Sequence, residues 1–336
     1  MKLHFKSHLP KRDFSICVAG AGAIGAALSF KLASTFEGVS VLARGETLRA
    51  IKANGITMVG ENSASSVPVH AGEPSDLGVQ DVIFLCSKAQ DLPELAEAIQ
   101  PLISHTTIIV PMTNGIPWWY FEGTPAAGDA PIEAVDPTGR LSKLLPSTNV
   151  VGAVNMIIAE RIAPGMVQSL NPGRVIVGPV HSDIQPAETI SLILNEAGIA
   201  TSLVEPIRAA VWKKVVLNLV TNPLSVISGG NTTEFLTDPY LAAVCEGLFK
   251  EANAVAEVYG FEGCQFSEFE RLGRSMKPFK TSMLQDFENG RPLELDPICG
   301  SVVELAERSG VEVPLIKQVM NLTRYKSAAR PVRMAA

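Results

Sequence analysis

Lys214, Asn218 and Asn222 recur every fourth residue in IRAAVWKKVVLNLVTNPLSVIS, residues 207–228. At about 100° per residue the three drift only about 80° around a helix axis, so they share one face. The rest of the stretch is strongly apolar, with Val211, Trp212, Val215, Val216, Leu219 and Val220 leaving little solvent face. A polar stripe on such a helix must be hydrogen-bonded, and lysine is rarely buried without a partner. A cleft holding a polar ligand would supply partners, and so would an internal network closed by neighbouring side chains. Pro223, next to Asn222, is expected to kink or break the helix.

A second set of residues points to a nucleotide. FSICVAGAGAIGAALSFKLAS reads as a buried strand, a turn and a helix, with Gly20, Gly22 and Gly25 in the spacing GxGxxG. In a dinucleotide fold the first glycine makes the tight turn and the second lets the pyrophosphate approach the backbone. The third lets helix and strand pack closely. The helix opened by Ala23 and Ile24 then offers free N–H groups and its positive dipole end to phosphates. A glycine-rich packing turn without ligand would show the same residues. The next strand, VSVLA, ends at Arg44, where folds that bind NAD usually carry an acid. A guanidinium there suits a 2′-phosphate and favours NADP, although an exposed turn arginine would look the same. DVIFLCSK (81–88) ends at Lys88, and TTIIVPMTNG (106–115) ends at Asn114-Gly115. In open α/β sheets ligands sit beyond the carboxyl ends of strands, which is where both polar residues fall.

These residues require two kinds of scaffold: alternating strands and helices to about residue 205, then a helical region over 206–330. The chain's 336 residues agree with two domains. With 46% hydrophobic and 18% charged residues the composition is globular. A formal net charge of −6 argues against a nucleic-acid partner. No run of eighteen or more apolar residues suggests a membrane span. The five cysteines are odd in number and form no CxxC, which points to a reducing cytoplasm rather than a disulfide framework. The histidines lack metal-ligand spacing, so no metal is expected. MKLHFKSHLPKRDF precedes the first apolar run as a signal peptide's charged region would. Glycines punctuate that run, and a secretion signal is disfavoured. The stretch PWWYFEGTPAAGDAPIEAVDPTG (117–139) reads as a long excursion that covers a cleft, meets a second subunit or simply packs. Further on, KTSMLQDFENGRPLELD places Ser282 in a short helix, Asn289-Gly290 in a turn and Glu294 at or before the next helix. A glutamate there is also a common dipole compensator.

Taken in order, GxGxxG, Arg44, Lys88, Asn114-Gly115, WxKxxxNxxxNP, SMLQD and a glutamate twelve residues past Ser282 resemble the ketopantoate reductase (2-dehydropantoate 2-reductase) family. The resemblance runs from about residue 14 to about residue 325. It implies an α/β fold: a Rossmann-type domain followed by an all-α domain like the C-terminal domain of 6-phosphogluconate dehydrogenase, with the active site between them. It implies NADPH-dependent reduction of a 2-oxo acid in pantothenate and coenzyme A synthesis, with Lys214 as proton donor. Asn218 and Asn222 would contact the substrate, Ser282 its carboxylate, and Glu294 its hydroxyls. Asn114 and Lys88 would lie near nicotinamide and phosphates. Many relatives are dimers, and the resemblance leaves the oligomeric state open between monomer and homodimer. The tryptophan-rich excursion departs from the family's best-known members. That leaves another small 2-oxo acid as an alternative substrate. A protein that senses NADP without turnover is a further alternative.

Overall fold

The computed structural model describes residues 14–60, 63–122, 124, 131–261, 263, 265–275 and 279–329. The chain forms two compact units. The first takes the chain up to Ser87, then Asp91–Thr113 and Leu144–Ile207. The second takes Lys88–Gln90, Asn114–Lys143 and the chain from Arg208.

The strands of the first unit are β1 (Ile16–Ala19), β2 (Val39–Leu42), β3 (Ile56–Val59), β4 (Ala64–Val67), β5 (His70–Gly72), β6 (Val82–Leu85) and β7 (Ile108–Pro111). They continue with β8 (Val151–Asn155), β9 (Ala159–Ala163), β10 (Met166–Ser169), β11 (Arg174–Pro179) and β12 (Ala200–Leu203). Its main helices are α1 (Ala23–Ala33), α2 (Gly45–Asn54), α3 (Pro74–Leu77) and α4 (Leu92–Ala98). The short α5 (Arg140–Leu144) and then α6 (Gln185–Glu196) follow in the chain.

The principal sheet runs β5-β2-β1-β6-β7 with every pair parallel. In chain order its strands lie 3-2-1-4-5, the doubly wound order whose reversal falls between β1 and β6. Apolar side chains explain the strands: Ile16, Val18, Val41, Val82 and Phe84 have no exposed surface. Parallel strands covered on both faces read as continuous apolar runs for this reason. Two smaller sheets, β4-β3-β10-β9 and β12-β11-β8, complete the unit.

The second unit is helical: α7 (Ile207–Ser228), α8 (Glu234–Thr237), α9 (Pro239–Val258), α10 (Phe266–Ser275), α11 (Ser282–Glu288), α12 (Ser301–Ser309) and α13 (Pro314–Ala328). Helix α7 is its spine, with Trp212, Val216 and Val220 fully buried. Pro223 does not end it; the helix continues to Ser228. Glu251 of α9 accepts the N–H groups of Leu315 and Ile316 at 2.9 and 2.8 Å, satisfying the start of α13.

The helical unit holds two segments that the sequence reading kept with residues 1–205. Backbone contacts account for this. The Ile116 N–H donates to the Pro297 carbonyl at 2.9 Å, and Gly115, at φ +85°, lies so close that a Cβ would stand 2.3 Å from that oxygen. The Glu304 carboxylate accepts the N–H groups of Glu133 and Ala134, each at 2.9 Å. The aromatic start of the excursion is packed core, with Trp119 and Tyr120 at most 1% exposed. The Trp119 ring meets Tyr120, the Tyr120 ring meets Phe121 and Phe261, and Phe261 meets Trp212. Residues 123 and 125–130 of the excursion, the charged start to residue 13 and the tail from 330 lie outside the described residues.

Candidate active site

The glycine turn stands at the carboxyl end of β1. Gly20 has φ +107°, and a Cβ there would meet the Cys86 carbonyl carbon and oxygen at 3.0 Å and the Ser87 nitrogen at 3.2 Å. A Cβ on Gly25 would fall 1.8 Å from the Gly20 carbonyl oxygen, so only glycine lets α1 approach the strand. Gly22 differs, because its Cβ position is open for 4 Å around. It is the N-cap of α1 and no side chain caps the helix, so the turn presents backbone N–H groups outward from Ala23 onward. The whole turn lies at the point where the strand order reverses. Across from it, after β6, the Ser87 Oγ is buried and has no hydrogen-bond partner among the described residues. An open glycine, an uncapped helix start and an orphaned hydroxyl together fit a dinucleotide's phosphates.

Arg44 follows β2 as the N-cap residue of α2, and its side chain is exposed. No carboxylate among the described residues pairs with it. Its guanidinium therefore stands ready where an acid would favour a ribose hydroxyl.

The helical unit links four of the remaining candidates, Lys88, Asn114, Asn218 and Glu294, in one polar network. Glu294 is 5% exposed and sits just before a π-helical turn, Asp296–Gly300. Its Oε1 accepts the Ala89 N–H at 3.1 Å, and its Oε2 accepts the Asn114 amide at 3.2 Å and the Lys88 ammonium at 3.3 Å. The Asn114 oxygen accepts in turn from the Asn218 amide at 3.4 Å. Lys88, expected beside the cofactor, also donates to Asp286 at 2.5 Å. Burial alone would lower the Lys88 pKa; Glu294 and Asp286 outweigh that and raise it.

Asp286 was not singled out from the sequence, although the motif SMLQD contains it. Four residues from Ser282 and 4% exposed, it is a buried acid on a short helix, and that is the signal it offered. Ser282 opens α11 and is exposed, while Thr281 before it caps the helix by accepting the Leu284 N–H at 3.1 Å. Thr281 also meets Ser225 of α7 at 2.6 Å, which ties the two helices together. Asn222 is 4% exposed on α7 one turn beyond Asn218.

Lys214 lies one turn before Asn218 and is half-buried. No carboxylate among the described residues is within ion-pair distance. Burial therefore acts alone and pulls its pKa down to about 8. The arrangement can deliver a proton near neutrality.

Four cysteines, Cys17, Cys86, Cys245 and Cys299, are buried free thiols, and burial pushes Cys17 up to about 11 and Cys245 and Cys299 up to about 12. They are poor nucleophiles. Cys264 lies outside the described residues. Among the described residues no group of three metal-ligating side chains occurs, and no helix is long and apolar enough to cross a membrane.

A Rossmann-type unit with a dinucleotide turn and a helical unit with a lysine–asparagine face define an oxidoreductase class. Comparison with known proteins gives the family. Residues 16–182 match Ketopantoate reductase PanE/ApbA, and residues 206–327 match Ketopantoate reductase PanE/ApbA C terminal. A 2-dehydropantoate 2-reductase of Mesorhizobium japonicum is 33% identical over 94% of this chain and 98% of its own length. A Ralstonia solanacearum structure assigned to the ketopantoate reductases has a TM-score of 0.89 at 33% identity, covering 95% of this chain and 99% of that one. A D-mandelate dehydrogenase solved with NADH and anilino(oxo)acetate shares the fold, with a TM-score of 0.81 at 22% identity over 94% of this chain and 98% of that one. The chain belongs to the ketopantoate reductase family and is an oxidoreductase acting on CH–OH groups.

Proposed function

We propose that this chain reduces 2-dehydropantoate to pantoate with NADPH, in the cytoplasm, for pantothenate and coenzyme A synthesis. The observation that carries the reading is Lys214: a half-buried ammonium without a carboxylate partner among the described residues, its pKa near 8, on the helix face of Asn218 and Asn222. The 33% identical relative named for this reaction supports the substrate.

When bound, the nicotinamide supplies a hydride to the ketone carbon. As charge builds on the carbonyl oxygen, the Lys214 ammonium donates a proton to it and becomes a neutral amine. A pKa near 8 leaves most of the lysine protonated at neutral pH, yet makes it a better acid than an ordinary lysine. Asn218 and Asn222 offer amide N–H groups to substrate oxygens, and the exposed Ser282 hydroxyl offers its own to the carboxylate. Glu294 accepts from substrate hydroxyls, and Asn114 positions the nicotinamide side. Gly20 makes the turn and Gly22 leaves the approach open, the N–H groups of Ala23, Ile24 and Gly25 at the start of α1 would hold the pyrophosphate, and Arg44 would take the 2′-phosphate.

The test is cofactor oxidation by the purified chain with 2-dehydropantoate, NADPH and NADH being run side by side. Turnover with NADPH preferred is expected. Tight NADPH binding without turnover of 2-dehydropantoate would overturn the substrate. A panel of branched and hydroxylated 2-oxo acids would then separate another substrate from a sensor.

A further inference from the structure

Two buried carboxylates within reach of one ammonium make an arrangement that neither the turn nor the α7 face explains. We propose that Asp286 is a positioning residue of the reduction: it clamps Lys88 against Glu294, which fixes the Glu294 carboxylate and Asn114 for the substrate. The inference rests on the reading that Glu294 faces the substrate.

The network is continuous. Asp286 Oδ2 holds the Lys88 ammonium at 2.5 Å, Lys88 reaches Glu294 at 3.3 Å, and Glu294 holds Asn114 at 3.2 Å. Asn114 meets Asn218 at 3.4 Å, one turn from Lys214. Every member has a defined neighbour on the next, so displacement of the first is felt at the last. Both carboxylates are at most 5% exposed. Buried like charges at close quarters are unfavourable unless a cation is shared between them. Lys88 is that cation, being bonded to both. Arg291 stands 3.5 Å from Asp286 Oδ1 on the other side, with its own side chain 50% exposed. The lysine stem has four rotatable carbons and holds no preferred geometry unaided. Asp286 is the nearer partner and therefore the one that localises it. Two of the three ammonium N–H groups are thereby used within the protein.

The test uses Asp286→Asn, Asp286→Glu and Lys88→Met in the full chain, with circular dichroism confirming the fold. In Asp286→Asn, kcat/KM for 2-dehydropantoate is expected to fall about tenfold to a hundredfold, the scale of a small misplacement of a binding group. The NADPH dissociation constant, read by fluorescence titration, should stay within about twofold of wild type. Asp286→Glu, which keeps the charge, should recover most of the loss. In the Lys88→Met background Asp286→Asn should cost almost nothing further, because its action passes through the lysine. Independent of turnover, labelling of Lys88 by acetic anhydride, read by mass spectrometry, should quicken about tenfold when Asp286 is neutralised. Additive losses, or a loss carried by NADPH affinity, would overturn the positioning role. An unchanged labelling rate would overturn the clamp whatever the substrate. If wild type leaves 2-dehydropantoate untouched, the substrate reading falls, and the labelling rate still decides the clamp.

Discussion

Two lysines of the helical unit have opposite surroundings. Lys88 is bonded to two buried carboxylates, and its pKa is raised although burial pulls the other way. Lys214 has burial alone, and its pKa drops to about 8. The same side chain is made a fixed cation in one place and a usable acid in the other. The difference lies in whether a carboxylate is within reach. A lysine that must release a proton in each cycle has to be kept from acids. One that organises a site is best surrounded by them.

The contrast can be broken most severely at Lys214. Lys214→Ala should lower kcat by about a thousandfold, within the span that a general acid contributes. Single-turnover kinetics would check it, with NADPH affinity unchanged. Lys214→Arg should lose nearly as much, because a guanidinium keeps the charge but does not give up its proton. A fully active arginine variant would mean that charge alone suffices.

A subtler change gives Lys214 what Lys88 has. Leu217 is half-buried three residues along α7, on the side of the helix that Lys214 occupies. Leu217→Glu should raise the Lys214 pKa by about one unit, and the alkaline limb of the pH–rate profile should move up with it. A limb that stays in place would assign it to another group.

The smallest effects belong to residues outside the contrast. Arg44→Ala should reduce the preference for NADPH over NADH by about tenfold, as expected for loss of a charge-assisted bond. Ser87→Ala should weaken NADPH binding by about fivefold, since its hydroxyl has no partner to lose among the described residues. Neither should shift the pH profile. Titration of cofactor fluorescence reads both.

What could be read in the sequence was local. GxGxxG between an apolar run and a helix marks its turn by spacing, and the α7 stripe shows its face by period. The residues that bind Lys88 were not readable in that way, because Asp286 and Glu294 lie 198 and 206 positions along the chain. Nothing in either segment signals the other. The edge strand β5, with only three residues, His70–Gly72, was too short to show a pattern. The expected break at Pro223 is absent because α7 has tertiary partners past it: Ser225 bonds to Thr281, and Thr323 of α13 donates to the Pro223 carbonyl at 3.3 Å. The grouping of Asn114–Lys143 with the helices depends on backbone N–H groups bonded to the Pro297 carbonyl and the Glu304 carboxylate, which no periodicity announces.

The most direct test of the account is the pH dependence of kcat/KM for 2-dehydropantoate reduction by the wild-type chain at saturating NADPH. A general acid works only while protonated, so the rate should hold below the Lys214 pKa and fall tenfold per unit above about 8. A rate that stays level to the ordinary lysine range, near pH 10, would contradict the claim that burial has made Lys214 the proton donor.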